Sequence, residues 1–345
     1  MSTQHTDYLH CNRFNSLDGL RAISILAVIW HHTAPASVNA VLTSIGAQGV
    51  QLFFAISGFL ITTLLLREKA RNGKLDLKAF YLRRSLRIFP LYYGTLILYI
   101  VVVAVLERHT PTGQAFFSNL PYFATYTSNL FVPLDGRVIF YFAWSLAAEE
   151  QFYLIWPPLL LLAASGKRAA IILAFTLLVC IGGQLSDNKF LSAVPLPIVM
   201  GALLAIALNH EQSYQRLFLF MGQQWSVFIA ALCLVISLVT PGVPAFICSL
   251  FFTLLVGACV IRDRHPLTAL LSLKPVAYIG SISYGMYMLH MLCKNFVVKI
   301  CHSMGISDAG LGLFVLTTLL AIAVATISFN YYESWFLRWK SRFER

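Results

Sequence analysis

Titratable side chains recur at helical spacing inside apolar stretches of this sequence, where burial away from water makes them costly. The first such stretch opens Ser16-Leu17-Asp18-Gly19-Leu20-Arg21 and runs on to Trp30-His31-His32. Arg21 and His32 are eleven residues apart, almost three α-helical turns, so they share a face roughly 16 Å apart along the axis. An arginine at membrane depth costs about 2.5 kcal/mol or more. Two ionisable groups on one stripe therefore point to work done inside a bilayer. Neutral imidazole is cheap to bury and titrates near pH 6.5, so His32 can take a proton from a hydroxyl. Asp18, three residues before Arg21, can neutralise it at the cytoplasmic end, which leaves His32 alone near the outer third. His31 is turned about 100° away from that face. The plainer alternative is an interfacial histidine with an ordinary hydrogen-bond partner.

Four further groups carry chemistry. Phe53-Phe54-Ala55-Ile56-Ser57-Gly58-Phe59 sets small residues among bulky ones, which suits close helix packing, with Ser57 a nucleophile only if a base reaches it. The basic segment ends Arg83-Arg84-Ser85-Leu86-Arg87-Ile88, and Arg84 and Arg87 share a face where a span is expected to begin. Guanidinium forks at a helix N-terminus form a phosphate site; positive anchoring of the chain is the alternative. In Trp144-Ser145-Leu146-Ala147-Ala148-Glu149-Glu150-Gln151-Phe152-Tyr153, Ser145, Glu149 and Tyr153 form a polar stripe. A carboxylate there needs a cation or a proton, so Glu149 is read as a helix-to-helix ion pair or as a catalytic group. Ser283, Tyr287 and His290 share a face further on, His290 being either a second site group or a core histidine. Glu333 is expected to pair with an arginine. No metal-binding pattern, Walker sequence or dinucleotide glycine motif is present.

Composition places these groups. The chain has 345 residues, 58% hydrophobic and 11% charged, against about 25% charged in soluble domains. It reads as an integral membrane protein. A net charge of +11 could suggest nucleic acid, but its distribution excludes that reading. Eight basic residues, Arg67, Lys69, Arg71, Lys74, Lys78, Arg83, Arg84 and Arg87, crowd one segment, while His109 to Gly136 holds no Lys or Arg. The positive-inside rule makes the first cytoplasmic and the second external. The seven cysteines, mostly in apolar runs and without a C-x-x-C, form neither a disulfide framework nor a zinc site.

Apolar runs near 17–34, 49–66, 88–107, 138–162, 169–186, 191–209, 222–239, 244–261, 276–300 and 311–336 predict an all-α bundle of about ten transmembrane helices. Basic residues on alternate connections, including Lys167, Arg168, Arg216, Arg262, Lys274 and the tail Arg338, Lys340, Arg342 and Arg345, put both termini in the cytoplasm. Residues 1–16 and 337–345 are expected as cytoplasmic tails of a single domain covering 1–345. The connection 108–137, rich in aromatics, is expected as a loop packed against the membrane or half re-entrant, or else as a simple interfacial aromatic belt.

Taken together, the segments resemble the acyltransferase family 3 membrane proteins, which O-acylate saccharides. The likeness runs from Leu17 to about Glu333. It rests on Leu17-Asp18-Gly19-Leu20-Arg21-Ala22 with His32, on Phe53-Phe54-x-x-Ser57-Gly58-Phe59 and on Arg84-x-x-Arg87-Ile88-x-Pro90. Trp144-Ser145-Leu146-x-x-Glu149-x-Gln151-Phe152-Tyr153 and Ser283-Tyr284-x-x-Tyr287-x-x-His290 complete it. The resemblance implies a multi-pass enzyme of the bacterial inner membrane. It would move an acyl group, usually acetyl, from cytoplasmic acyl-CoA to a hydroxyl of an extracytoplasmic or lipid-linked saccharide such as O-antigen or exopolysaccharide. It makes His32 the catalytic residue and gives Arg84 and Arg87, with Arg83 beside them, the coenzyme phosphates. Arg21 and Glu149 would orient donor or imidazole and Ser57 completes the catalytic candidates, with Asp18, Tyr153, Tyr287 and His290 as further site candidates. Gln51 stands where the family pattern commonly has an acid, so no charge role passes to it. An esterase-like extra domain of larger members has no counterpart here, so the acceptor is expected to dock on the membrane domain. A lipid-linked-sugar transporter or flippase is the other reading; transporters often show internal repeats, and none is visible. A homo-oligomer is compatible with the sequence.

Overall fold

The computed structural model describes residues 3–11, 13–34, 45–133, 137–163, 165–262, 264–305 and 310–340, and among them every regular element is helical. A short amphipathic α1 (Thr3–His10) leads into α2 (Asn15–Thr33), α3 (Gly49–Asn72) and α4 (Leu77–Leu106). Two short helices, α5 (Pro111–Ala124) and α6 (Ser128–Phe131), precede α7 (Ala143–Leu162) and α8 (Gly166–Leu185). Then come α9 (Leu196–Asn209), α10 (Glu211–Met221), α11 (Ser226–Val239) and α12 (Ala245–Val260). The chain closes with α13 (Thr268–Leu271), α14 (Lys274–Ser281), α15 (Ser283–Ser303), α16 (Leu311–Ile327), a π-helical turn Ser328–Glu333 and α17 (Ser334–Lys340).

Local chemistry moves two boundaries from their expected places. Gly73, at φ +70°, ends α3 in the left-handed conformation that glycine adopts without steric cost. Asp76 then caps α4, its Oδ1 accepting from the Ala79 N–H at 2.9 Å. Helix α4 therefore begins eleven residues before the apolar run at 88, and Arg84 and Arg87 lie well inside it. Anion binding there must come from guanidinium groups and not from a free helix N-terminus, which corrects the expectation. The aromatic connection also departs from a loop. Thr110 caps α5, with Pro111 in its first turn, and Phe116 and Phe123 are buried. Tyr92 and Tyr93 of α4 donate to the Phe123 and Ala124 carbonyls at 2.8 and 3.0 Å.

Four helical stretches are long and apolar enough to cross a bilayer, at Ile45–Asn72, Leu77–Leu106, Gly166–Leu185 and Leu311–Trp339. Helices α10 and α11, bent by 76°, add a fifth if they form one span. Helices α2, α7 and α15, of 19, 20 and 21 residues, have the length but are less apolar. The expectation of ten counts all of these together with the shorter α9 and α12. The outer face carries exposed Ile97, Val105, Ile171, Phe175 and Leu316, as suits a lipid-facing surface.

The segment 1–16, expected as a tail, holds α1 against the bundle. Buried His5 contacts the Leu208 carbonyl through Nε2 at 3.1 Å, and Arg67 donates to the carbonyls of Tyr8 and Cys11 at 2.9 and 2.5 Å. Residues 341–345 of the other tail, Arg342 and Arg345 among them, lie outside the described residues.

Helix α3 forms the axis of the bundle and packs most extensively against α9. A Cβ placed on Gly58 would lie 1.9 Å from the Ile198 carbonyl oxygen, and one on Gly201 2.3 Å from that of Ala55. The two backbones touch, as small residues permit in membranes. The reading of Gly58 as a packing residue is met. Gly58→Ala should force the backbones apart and cost roughly 1–3 kcal/mol, read as a lower unfolding temperature in detergent. A wild-type melt would show that the contact can relax.

Candidate active site

Helix α7 presents Ser145, Glu149 and Tyr153 along one side, and the middle residue gathers three helices. Glu149 Oε1 accepts from Ser57 Oγ of α3 at 2.6 Å, from Arg84 Nη2 of α4 at 3.1 Å and from the Tyr153 hydroxyl. Arg84 Nε is 3.7 Å from Glu150 Oε1, and the guanidinium lies 3.9 Å over the Tyr153 ring. Charge-assisted bonds of this kind are the strong ones, more so where little water competes. Pairing with an arginine, one of the two readings of Glu149, is present. Ser57 spends its proton on a carboxylate already receiving two other donors, so it acts here as a strut to Glu149.

Beside this hub opens a cavity of about 1100 Å³, lined by Arg21, Arg67, Arg71, Arg83, Arg84 and Arg87 together with Ser57, Glu68 and Tyr153. Its cations are not equivalent. Arg67 holds α1, and Arg83 pairs with Glu68 at 2.7 Å. Arg84 is committed to Glu149 and Glu150. Asp18 sits 2.6 Å from Arg13 but 3.6 Å from Arg21, so Arg21 is only partly neutralised. Arg87 has no ion pair within 4.0 Å among the described residues. The cavity thus keeps an excess of positive charge, with Arg21, Arg71 and Arg87 as the less committed donors. The three arginines expected to hold phosphates, Arg83, Arg84 and Arg87, all line it.

His32, at the other end of α2, is not alone. Tyr141 Oη is 2.9 Å from its Nδ1, and the His290 ring stacks on it at 5.1 Å and 25°. His31 lies edge-on at 4.8 Å. His290 is fully buried, and its Nδ1–H donates to the Tyr287 carbonyl at 2.6 Å. That bond leaves Nε2 an acceptor in the neutral ring, and it has no hydrogen-bond partner among the described residues. Tyr287 shares a 2.6 Å hydrogen bond with Ser145 and donates to the Phe142 carbonyl at 3.0 Å. A polar row therefore runs from Arg84 through Glu149 and, one turn along α7, through Ser145 and Tyr287 to the histidine pair.

Arg21 and His32 stand on one helix as spaced, yet the side chains between them, Ser24, Ile25 and Val28, are buried. The link between the two ends follows α7 and α15, not α2. Tyr141 escaped the sequence reading because it sits in a turn before α7, following Phe140 at φ +65°. Glu333 interacts electrostatically with Arg87, as expected of a pairing with an arginine, but at more than 4.0 Å; its Oε1 accepts from Ser328 Oγ at 3.3 Å. The cysteines are free, and among the described residues no group of three or more His, Cys, Asp and Glu could hold a metal. Glu149→Ala strands Arg84 in a mostly buried site and should destabilise by on the order of 3 kcal/mol, whereas Glu149→Gln, which keeps an acceptor for Ser57 and Tyr153, should cost less. Equal unfolding temperatures for the two variants would contradict the hub.

Fold and site together define a helical membrane protein with an anion-binding cavity at one end of α2 and a buried histidine pair at the other. A family model described as an acyltransferase domain, Acyl_transf_3, matches residues 14–330, and the chain belongs to that family. It is 27% identical to the peptidoglycan O-acetyltransferase OatA of Listeria monocytogenes serovar 1/2a, over 92% of this chain and 55% of that protein. YrhL of Bacillus subtilis strain 168, provisionally named a peptidoglycan O-acetyltransferase, is 28% identical over 96% of this chain and 55% of its own. A protein of Staphylococcus aureus strain COL, provisionally named an O-acetyltransferase, is 35% identical over 45% of this chain and 26% of its own. The chain thus spans about half the length of the first two of these relatives. No solved structure matches it.

Proposed function

We propose that this chain is a membrane O-acetyltransferase that takes the acetyl group of cytoplasmic acetyl-CoA to a hydroxyl of an extracytoplasmic saccharide. The observation that carries the reading is the arginine-lined cavity of about 1100 Å³, tied through Glu149 and a polar row to His32. Phosphates of the coenzyme suit Arg21 and Arg87, with Arg83 and Arg84 as the wall that shapes the cavity. His32 acts as general base: its imidazole accepts the acceptor's hydroxyl proton as the oxygen attacks the thioester carbonyl, and coenzyme A leaves as the thiolate and takes up a proton. Transient acetylation of His32 is a second form of the same scheme. Glu149 positions Arg84 and Ser57, and His290 with Tyr141 orients the His32 ring.

Family membership supports acyl transfer, and the relatives' names support a cell-wall glycan as acceptor, with O-antigen and exopolysaccharide as other members of the same chemical class. The proposed setting is the inner membrane, with about ten spans, both termini cytoplasmic and the arginine cavity facing the cytoplasm, which the charge distribution favours. No observation favours a transporter. With the protein reconstituted in vesicles and offered labelled acetyl-CoA, His32→Ala should cut transfer by about a hundredfold or more while leaving acetyl-CoA binding unchanged. Arg87→Ala should weaken acetyl-CoA binding, and added salt should weaken the wild type more than the variant. Undiminished transfer by His32→Ala rejects the scheme.

A further inference from the structure

A second cavity, of about 430 Å³, opens among the N-terminal ends of α3, α7, α9 and α12 and the C-terminal ends of α8 and α11. It lies at the opposite end of the bundle from the arginines. Gln51, on its wall, and Arg67, on the arginine cavity, are sixteen residues apart on α3, about 24 Å of helix. It lies at the histidine end instead. Next to Gln48, a Cβ on Gly46 would meet the Ala27 carbonyl at 2.8 Å and His31 Cβ at 3.0 Å, so this wall rests on the last turns of α2. Trp144, another wall residue, directly precedes Ser145, the partner of Tyr287.

Its chemistry is the reverse of the first cavity's. None of its lining residues is charged. Among the described residues, the side-chain amides of Gln48, Gln51 and Gln184 have no hydrogen-bond partner. Each offers a carbonyl acceptor and two N–H donors. Ser192 and Ser237 donate to the carbonyls of Asn188 and Leu234, at 2.9 and 2.7 Å, and keep lone pairs free to accept. Trp144 is held at an angle by Phe54, their rings 6.0 Å apart. An indole face packs against the C–H surface of a sugar ring, and unpaired amides match its hydroxyls in both donor and acceptor sense. The volume falls within the range of small-molecule sites, about 300–1,000 Å³. With no cation on its wall, the cavity gives a phosphate or carboxylate nothing to offset the loss of its water.

We propose that this cavity holds an uncharged sugar residue of the acceptor, with Gln48, Gln51 and Gln184 reading its hydroxyl or acetamido groups and Trp144 under its ring. The proposal rests on the acetyl-transfer reading for its meaning but not for its detection. Purified wild type is examined by saturation-transfer NMR with a panel of neutral mono- and disaccharides of glucose and N-acetylglucosamine, and with glucuronic acid. Wild type should bind at least one neutral sugar and glucuronic acid at least tenfold more weakly. Gln48→Ala with Gln51→Ala, and separately Trp144→Ala, should each weaken the sugar about tenfold or more while acetyl-CoA binding stays at the wild-type value, which also certifies the fold. No neutral sugar bound, equal binding of glucuronic acid, or sugar binding unchanged in both variants overturns the proposal. Sugar binding lost in the variants, from a wild type that never transfers acetyl, leaves the sugar site standing and removes the acetyl-transfer reading instead.

Discussion

One carboxylate oxygen organises this molecule. Glu149 Oε1 receives donors from α3, α4 and its own α7, and each of those donors would be costly to bury without it. Arg84 needs a counter-charge and Ser57 an acceptor, and both are met at one atom. Because the donors come from separate helices, satisfying the charge also fixes the relative height of α3, α4 and α7. The arginine cavity borrows its shape from that arrangement, since Ser57, Arg84 and Tyr153 are part of its wall.

From the hub, polarity continues in one direction only. Ser145 and Tyr287 carry hydrogen bonding toward His290 and His32, whereas the face of α2 between Arg21 and His32 is closed by apolar and back-bonded side chains. The ends of the molecule thus differ in kind. One is rich in cations and suits a polyanion, and the other centres on aromatic rings and the histidine pair. The acetyl transfer proposed above would use that division, with the anionic donor at the cationic end and the saccharide at the other.

Much of the site was legible in sequence because helices make spacing into geometry. The Ser145, Glu149 and Tyr153 stripe, the placement of Arg84 and Arg87 on one wall, and the close packing at Gly58 follow from period and residue size. What stayed hidden was long-range or dependent on caps. That His290 would stack on His32, residues 258 positions apart, has no local signature. The Asp76 cap extends α4 through a polar segment that hydropathy reads as a connection. Tyr141 sits in an irregular turn, where no periodicity aims a side chain.

The contact between α3 and α9 has a mechanical consequence. With carbonyl oxygens of each helix seated where the other lacks a side chain, the pair behaves as a rigid spine with no room to hinge or slide. Any breathing that admits a bulky guest to the cationic chamber therefore falls to the walls away from the spine. Of these, α1 is the shortest, held by Arg67 on the Tyr8 and Cys11 carbonyls, by His5 on the Leu208 carbonyl and by the Tyr214 hydroxyl on the Gln4 carbonyl. Arg67 thereby ties the N-terminal helix to that chamber, since one guanidinium both lines the chamber and holds the helix.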